Sequence, residues 1–477
     1  MVYDAVIVGA GVIGAMAARE LSRYNLKLLI LEKESDVSCG ASKANSGIIH
    51  GGFDPEPGTL KALLNSRGVE MLYNAAKELK VPFENNGSIV CAFDQKGERE
   101  LERLLNRAKL NLIPNVKIIS GNEARELEPA LSEKVTKVLV SDTAGIICPY
   151  ELTIAAVGNA MKNGAELKRN FCVTEIKNEE TYFTLYSQSG EAVKAKRIIN
   201  CAGCASGKIA ALAGDNSIEI IPRKGEYMLL DKNAGGLVRH TVFQVPTEAG
   251  KGVLVSPTTH GNLLLGPTAE VCESENDTET TVKGIGEVIK TSALSCGEID
   301  YRAVITSFTG VRSSVKTGDF IIEASKTVKG LFNVAAIDSP GLTSSVAIAK
   351  YAVEKLIKDG MSLTLKETFD GTMEDPHFFS KMSDAEKNAF IAENPEYGKM
   401  VCRCEQVSEG EIRAALRREP KPVDIDGIKR RTRSGMGRCQ GGFCMPSVMK
   451  IISEEIGVPM EKVTKKGGAS SQLTGKL

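Results

Sequence analysis

The stretch VYDAVIVGAGVIGAMAARELSRYNLKLLILE, residues 2–32, decides the fold. Tyr3–Val8 is a short β-branched run, Val12–Tyr24 has helical periodicity with small, Ala-rich faces, and Leu26–Leu31 is strand-like again. The turn between the first strand and the helix is GAGVIG, so Gly9, Gly11 and Gly14 fall on G-x-G-x-x-G, and Glu32 ends the next strand 18 residues beyond Gly14. Gly9 suits the tight turn, Gly11 lets backbone approach a pyrophosphate, and Gly14 lets the helix pack closely on the strand. The helix N-terminus then faces the phosphates, and Glu32 is placed for the ribose hydroxyls. The spacing predicts a Rossmann-like βαβ unit holding a dinucleotide, without choosing between FAD and NAD.

Outward from that unit, 477 residues suffice for roughly three domains. With 42% apolar and 25% charged residues the chain can bury a sizeable core, which excludes a disordered chain, a coiled coil or a disulfide miniprotein. Lys+Arg and Asp+Glu both number 60, so there is no electrostatic footprint for nucleic acid or an anionic membrane. Aromatics are 5% with no Trp, which argues against a base-stacking or carbohydrate surface. No stretch reaches the roughly 18 apolar residues of a membrane span. Ala5–Ala18 is too short, is broken by glycines and has no basic leader, so it does not read as a signal peptide. A cytoplasmic protein is expected, with any membrane association made through a partner. Its twelve cysteines are then thiols or ligands rather than disulfides.

Four later stretches carry a family resemblance. SCGASKANSGIIHGGFDPEPGTLKA (38–62), RIINCAGCAS (197–206), GVRSSVKTGDF (310–320) and LFNVAAIDSPGLTSSVAIAKYAVEKL (331–356) occur in the order seen in the D-amino-acid-oxidase-like superfamily. That group includes glycerol-3-phosphate dehydrogenases, 2-hydroxyglutarate dehydrogenases and sarcosine-oxidase-like enzymes. The resemblance implies FAD. It implies that Ser42, Asn45 and Ser46 bond the pyrophosphate and ribityl chain, and that Gly47, Gly51 and Gly52 let backbone pass under the isoalloxazine. Gly203 would contact adenine or ribose, and Gly341, Leu342, Thr343 and Ser344 would open a helix facing the flavin pyrimidine. Cys201 and Cys204 form a CxxC, more simply two small residues of the flavin-domain loop than a redox pair.

On the substrate side, the same resemblance puts His50 of IIHGG beside the ring as base or polariser. Arg312 is placed over the flavin to hold a carboxylate or phosphate in its guanidinium fork, with Arg302 a second anion candidate. Tyr227 in PRKGEYMLL (222–230) is a possible pocket residue, and His260 in THGN reads as a hairpin turn or a substrate contact.

The C-terminus carries a separate signal. Cys402-Arg-Cys404, 34 residues, then Cys439-Gln-Gly-Gly-Phe-Cys444 make C-x-C-x34-C-x4-C. Thiolates suit both Fe–S and structural zinc, but C-x-C is tight for zinc. With EGEIRAALRR between the pairs, the segment resembles the bacterioferritin-associated-ferredoxin-like [2Fe–2S] domain.

The expected architecture is α/β: a Rossmann-like FAD-binding domain (1–80, 146–214 and 331–365) with an inserted, mostly antiparallel substrate domain (81–145 and 215–330). A connector (366–399), a [2Fe–2S] module (400–455) and a polar tail (456–477) follow. A flavin domain with such a module resembles the catalytic subunits of anaerobic glycerol-3-phosphate dehydrogenases. The resemblance implies oxidation of a small anionic alcohol, sn-glycerol 3-phosphate, with the cluster as a wire to an accepting redox protein, subunit or quinone system. A 2-hydroxy-acid dehydrogenase, or a flavin/Fe–S electron-transfer subunit without its own substrate, are the alternatives.

Overall fold

The computed structural model describes residues 1–246, 252–473 and 475. Its centre is a six-stranded sheet in the spatial order Glu166–Lys168, Leu28–Leu31, Ala5–Val8, Ile198–Asn200, Leu331–Ala335 and Ile321–Ala324, parallel except for the last edge strand. The buried strands read AVIV, LLIL and LFNVA because helices on one face and a second sheet on the other leave no wet side. Helices Val12–Leu21, Leu60–Leu79, Pro149–Lys162 and Gly341–Lys358 cover one face through an Ala-, Leu- and Ile-rich core. A four-stranded sheet (Val2–Tyr3, Ala192–Ala195, Phe183–Ser187, Val173–Asn178) covers the other around Phe171 and Phe183. The long helices pack closely at Gly68, where a Cβ would stand 2.5 Å from the Thr343 carbonyl oxygen.

Two insertions build a nine-stranded sheet from residues of 81–145 and 215–330. It is antiparallel apart from Thr241–Gln244 beside Ser88–Ala92. Its spine is the long pair Ile221–Leu230 and Val304–Ser314, registered Arg223 opposite Arg312 and Tyr227 opposite Phe308. Ile321–Ala324, expected within the inserted domain, is instead the edge of the flavin-domain sheet, because its partner is Leu331–Ala335.

The connector is more structured than its composition suggests. Residues 370–372 bond Asn159, Asn163 and Arg19 of the flavin domain. Asp384–Glu393 is a helix opened by a Ser383/Glu386 capping box, and Phe378, Phe379, Phe390 and Tyr397 form a small aromatic knot. The C-terminal module has its own core, Val407, Ile412, Leu416, Ile428, Val448, Ile452 and Val463 among it, so it extends past the expected end at 455. The tail is an arm on the body rather than a free end: Ile425 N–H donates to Thr464 C=O and Asp426 N–H to Lys465 C=O.

Candidate active site and iron–sulfur centre

A cavity of about 1830 Å³ runs from the glycine turn to the substrate sheet, about twice the upper end of an ordinary small-ligand pocket. At one end Gly9 has φ +105°, and a Cβ there would stand 2.6 Å from the Cys201 carbonyl oxygen. A Cβ on Gly14 would stand 2.0 Å from the Gly9 carbonyl oxygen, so the turn and the helix close only with glycine at both. Gly11 and Glu32 line the same end. Glu32 is buried and accepts from Ala10 N–H (2.8 Å) and Glu34 N–H (3.0 Å). Burial, only partly offset by those donors, raises its carboxyl above the usual range. Gly203 lines the cavity with φ +58°. The cradle's length, its glycine floor and the helix N-terminus opening on it fit an extended dinucleotide.

The loop after the second strand behaves less uniformly than its composition implied. Ser42 Oγ accepts from Val12 N–H at 2.8 Å, and so caps the helix as well as lining the cavity. Asn45 braces its own loop, donating to the Ala41 and Ser42 carbonyls while accepting from Gly47 N–H. Ser46 Oγ lies 3.4 Å from Tyr227 Oη, and Gly47 turns at φ +66°. Gly51 and Gly52 are not in the cavity wall. A Cβ on Gly51 would meet Ser141 and Thr143, and one on Gly52 would meet Ile113, so these glycines serve packing on the inserted domain. At the late helix, Ser339, Gly341 and Leu342 line the cavity but Thr343 and Ser344 do not. Thr343 Oγ1 instead donates to Ile48 C=O and accepts from His50 N–H, tying the helix to the segment Ile48–His50.

The far end is the substrate side. His50 lies in the wall with Nε2 3.2 Å from Ser339 Oγ and its ring 6.0 Å from that of Phe243. Tyr227 stacks on Phe308 at 4.7 Å. Arg312 lines the cavity as expected of an anion ligand. Reading the sequence missed its partner: Arg223, directly across the strand pair on the same face, also lines the cavity, and its Nε is buried without a hydrogen-bond partner. Neither guanidinium is ion-paired to a carboxylate among the described residues. Two guanidiniums opposed in a concave site, one with an unsatisfied donor, are suited to receive an anion. Arg302 does not belong here: its side chain is 91% exposed and pairs with Asp300 at 2.8 Å, because it sits on the turn before the strand. His260 is likewise outside the wall, at the hairpin turn before Leu263–Gly266, where its ring meets Glu151. Cys201 and Cys204 are both free thiols of the flavin-domain loop. Cys204 Sγ donates to Val311 C=O at 3.5 Å, and burial pushes both thiols up to about 12.

The four late cysteines form two pairs. Cys404 and Cys439 have sulfurs 3.7 Å apart, and the Cys444 thiol beside Cys402 holds the Cys402 thiol below its ordinary value. No three of the four sulfurs lie within 4.8 Å of one another. One tetrahedral zinc would bring all four thiolates to about 3.8 Å apart, whereas a two-iron cluster takes one pair per iron. The backbone N–H groups of Phe443, Gly441 and Gly442 around Cys439 hold its thiol below its ordinary value. Gly437 is required there, since a Cβ would stand 2.4 Å from Cys404 Cβ. The donor set and the N–H cradle fit a [2Fe–2S] cluster.

The module is clamped to both other domains. Asp36 accepts from Arg430 at 2.7 Å and from Arg431 at 2.7 and 2.9 Å, and Ser35 Oγ donates to Asp424 at 2.6 Å. Arg433 reaches Glu405, Tyr150 and Asn262 at 2.8–3.1 Å. Lys465 to Ser470 and Arg430 line the dinucleotide cavity, so the module's arm forms part of its wall.

Residues 4–355 match the FAD dependent oxidoreductase family, and residues 400–454 match the BFD-like [2Fe-2S] binding domain. The chain belongs to the FAD-dependent oxidoreductases, and its cofactors are FAD and a [2Fe–2S] cluster. It is 41% identical to a glycerol 3-phosphate dehydrogenase of Caloramator mitchellensis, over 99% of this chain and 98% of that one. A mitochondrial L-2-hydroxyglutarate dehydrogenase of Caenorhabditis elegans is 32% identical over 56% of this chain and 63% of its own. Among solved structures, the FAD-bound L-alpha-glycerophosphate oxidase of Mycoplasma pneumoniae superposes with TM-score 0.75 at 32% identity, covering 78% of this chain and 98% of that one. Among the described residues no helix is long and apolar enough to cross a membrane.

Proposed function

We propose that this FAD-dependent oxidoreductase oxidises sn-glycerol 3-phosphate to dihydroxyacetone phosphate and passes the electrons through its [2Fe–2S] centre to an acceptor protein or quinone system. The carrying observation is the opposed pair Arg223 and Arg312 in the same cavity wall as His50. Two forks hold a dianionic phosphate better than a single carboxylate, and they anchor it at a fixed distance from the carbon to be oxidised. His50 is the base for the hydroxyl proton, and Ser339 Oγ, 3.2 Å from its Nε2, orients the ring. Tyr227 and Phe308 close the apolar side and limit water. When bound, FAD supplies a two-electron acceptor and the cluster a one-electron carrier. The glycerol 3-phosphate relatives match most of this chain, which supports phosphate over a diacid. The test is anaerobic bleaching of the holoenzyme flavin with sn-glycerol 3-phosphate and with 2-hydroxyglutarate. Rapid bleaching by the phosphate alone is expected. Bleaching by the diacid alone overturns the substrate, and bleaching by no small alcohol or hydroxy acid overturns the enzyme.

A further inference from the structure

A second group of ligand-type side chains lies outside the redox cavity. Cys148 is the N-cap residue of helix Pro149–Lys162, and Glu151 is in that helix's first turn. His260 comes from the substrate-domain hairpin and His377 from the connector. Cys148 and Glu151 are buried, and the two imidazole side chains are 14% and 21% exposed. Cys148 Sγ lies 3.4 Å from Glu151 Oε1, His260 Nε2 lies 3.1 Å from the same oxygen, and the three ligand atoms are mutually within 4.8 Å. His260 Nε2 is shut off from solvent and makes no hydrogen bond despite that 3.1 Å neighbour. The approach is wrong for N–H···O, yet the spacing is that of two atoms sharing a cation. Around tetrahedral zinc, one thiolate, one imidazole and one carboxylate oxygen stand roughly 3.4–3.7 Å apart.

We propose that Cys148, Glu151 and His260 bind one zinc ion, distinct from the [2Fe–2S] centre. Its fourth position is left to water, and His377 Nε2, 2.7 Å from Glu151 Oε2, holds the carboxylate in its ligating orientation. One thiolate and one carboxylate neutralise the dication, and a mixed S/N/O set suits zinc better than magnesium or calcium. The ligands come from the flavin domain and the inserted domain, and the orienting histidine from the connector. The ion therefore pins three segments together beneath the iron–sulfur module, whose Arg433 contacts Tyr150.

The test is metal analysis of the full-length holoenzyme loaded with one equivalent of zinc and desalted. One zinc per chain beyond the cluster iron is expected, and its X-ray absorption fine structure should show one sulfur near about 2.3 Å with nitrogen and oxygen near about 2.0–2.1 Å. Cys148→Ser and His260→Ala should lose the ion while iron and flavin contents hold. His377→Ala, which removes no ligand, should weaken zinc by about 10- to 100-fold in chelator competition. The wild-type measurement decides the matter even if the ligand variants fail to fold. No zinc after loading, or zinc bound by four sulfurs, overturns the proposal.

Discussion

Arg223 and Arg312 occupy opposite positions on the two longest strands of the molecule, and each is separable by mutation. A charge-assisted contact to substrate is worth about 1.5–3 kcal/mol, so Arg312→Ala or Arg223→Ala should lower kcat/KM about 10- to 150-fold. Arg312→Lys should recover only part of this, because an ammonium keeps the charge but not the fork. Flavin content should not change. Steady-state kinetics with flavin absorbance per chain checks this, and near-normal kcat/KM in an alanine variant would remove that arginine from the site. Arg312 was legible because it stands in a stretch whose family resemblance is strong. Arg223 was not, although it lies within a quoted segment. Its place depends on a register formed across roughly ninety residues, which local pattern does not encode. Arg302 misled for the same reason: as a residue type it suits an anion, but nothing local reveals that it falls on the exposed turn before the strand.

At the scale of elements, the helix Ile425–Thr432 docks the iron–sulfur module on the loop after Glu32. Burial alone would raise the Asp36 carboxyl, but the Arg431 and Arg430 guanidiniums outweigh it and hold it at about 2. A carboxylate depressed from its ordinary value near 4 contributes about 2–3 kcal/mol above that value, and the contribution disappears as pH falls from about 4 through about 2. The contact is therefore unchanged across neutral pH. Asp36→Asn should remove it at every pH and leave two buried guanidiniums uncompensated, a cost of about 3–5 kcal/mol. A lowered Tm with faster proteolysis in the connector (366–399) is the expected readout at pH 7, and an unaltered Tm would show that the pair does not hold the module. This docking could not be read from sequence. The C-x-C and C-x4-C spacing announces a cluster, since ligand spacing is local, but Asp36 and Arg431 are ordinary surface types until tertiary packing buries them. The tail was equally opaque: KKGGASS has no apolar periodicity, and it is placed by backbone bonds to residues 425 and 426.

For the whole molecule, two redox centres sit in separately cored units that share a wall, and this sets the last prediction. The module's core from Cys402 to Val463 does not interpenetrate the flavin-domain core. Cys439→Ser should therefore lose the [2Fe–2S] absorbance and the electron paramagnetic resonance signal of the reduced state while FAD stays bound. The residues proposed to hold the substrate anion and accept its proton are in the cavity wall, none of them in the module, so substrate should still bleach the flavin in one anaerobic turnover. Steady-state delivery to a protein acceptor should collapse, since a two-electron donor would have lost its one-electron carrier. Small dyes that reach the flavin directly would mask the loss, so the acceptor used must be a protein. The arm Lys465–Ser470 adds a control, because it lines the dinucleotide cavity: if losing the cluster also unfolds the module, FAD affinity should fall together with the iron. Iron retained in the variant would refute Cys439 as a ligand, and undiminished transfer to the protein acceptor without a cluster would refute the wire.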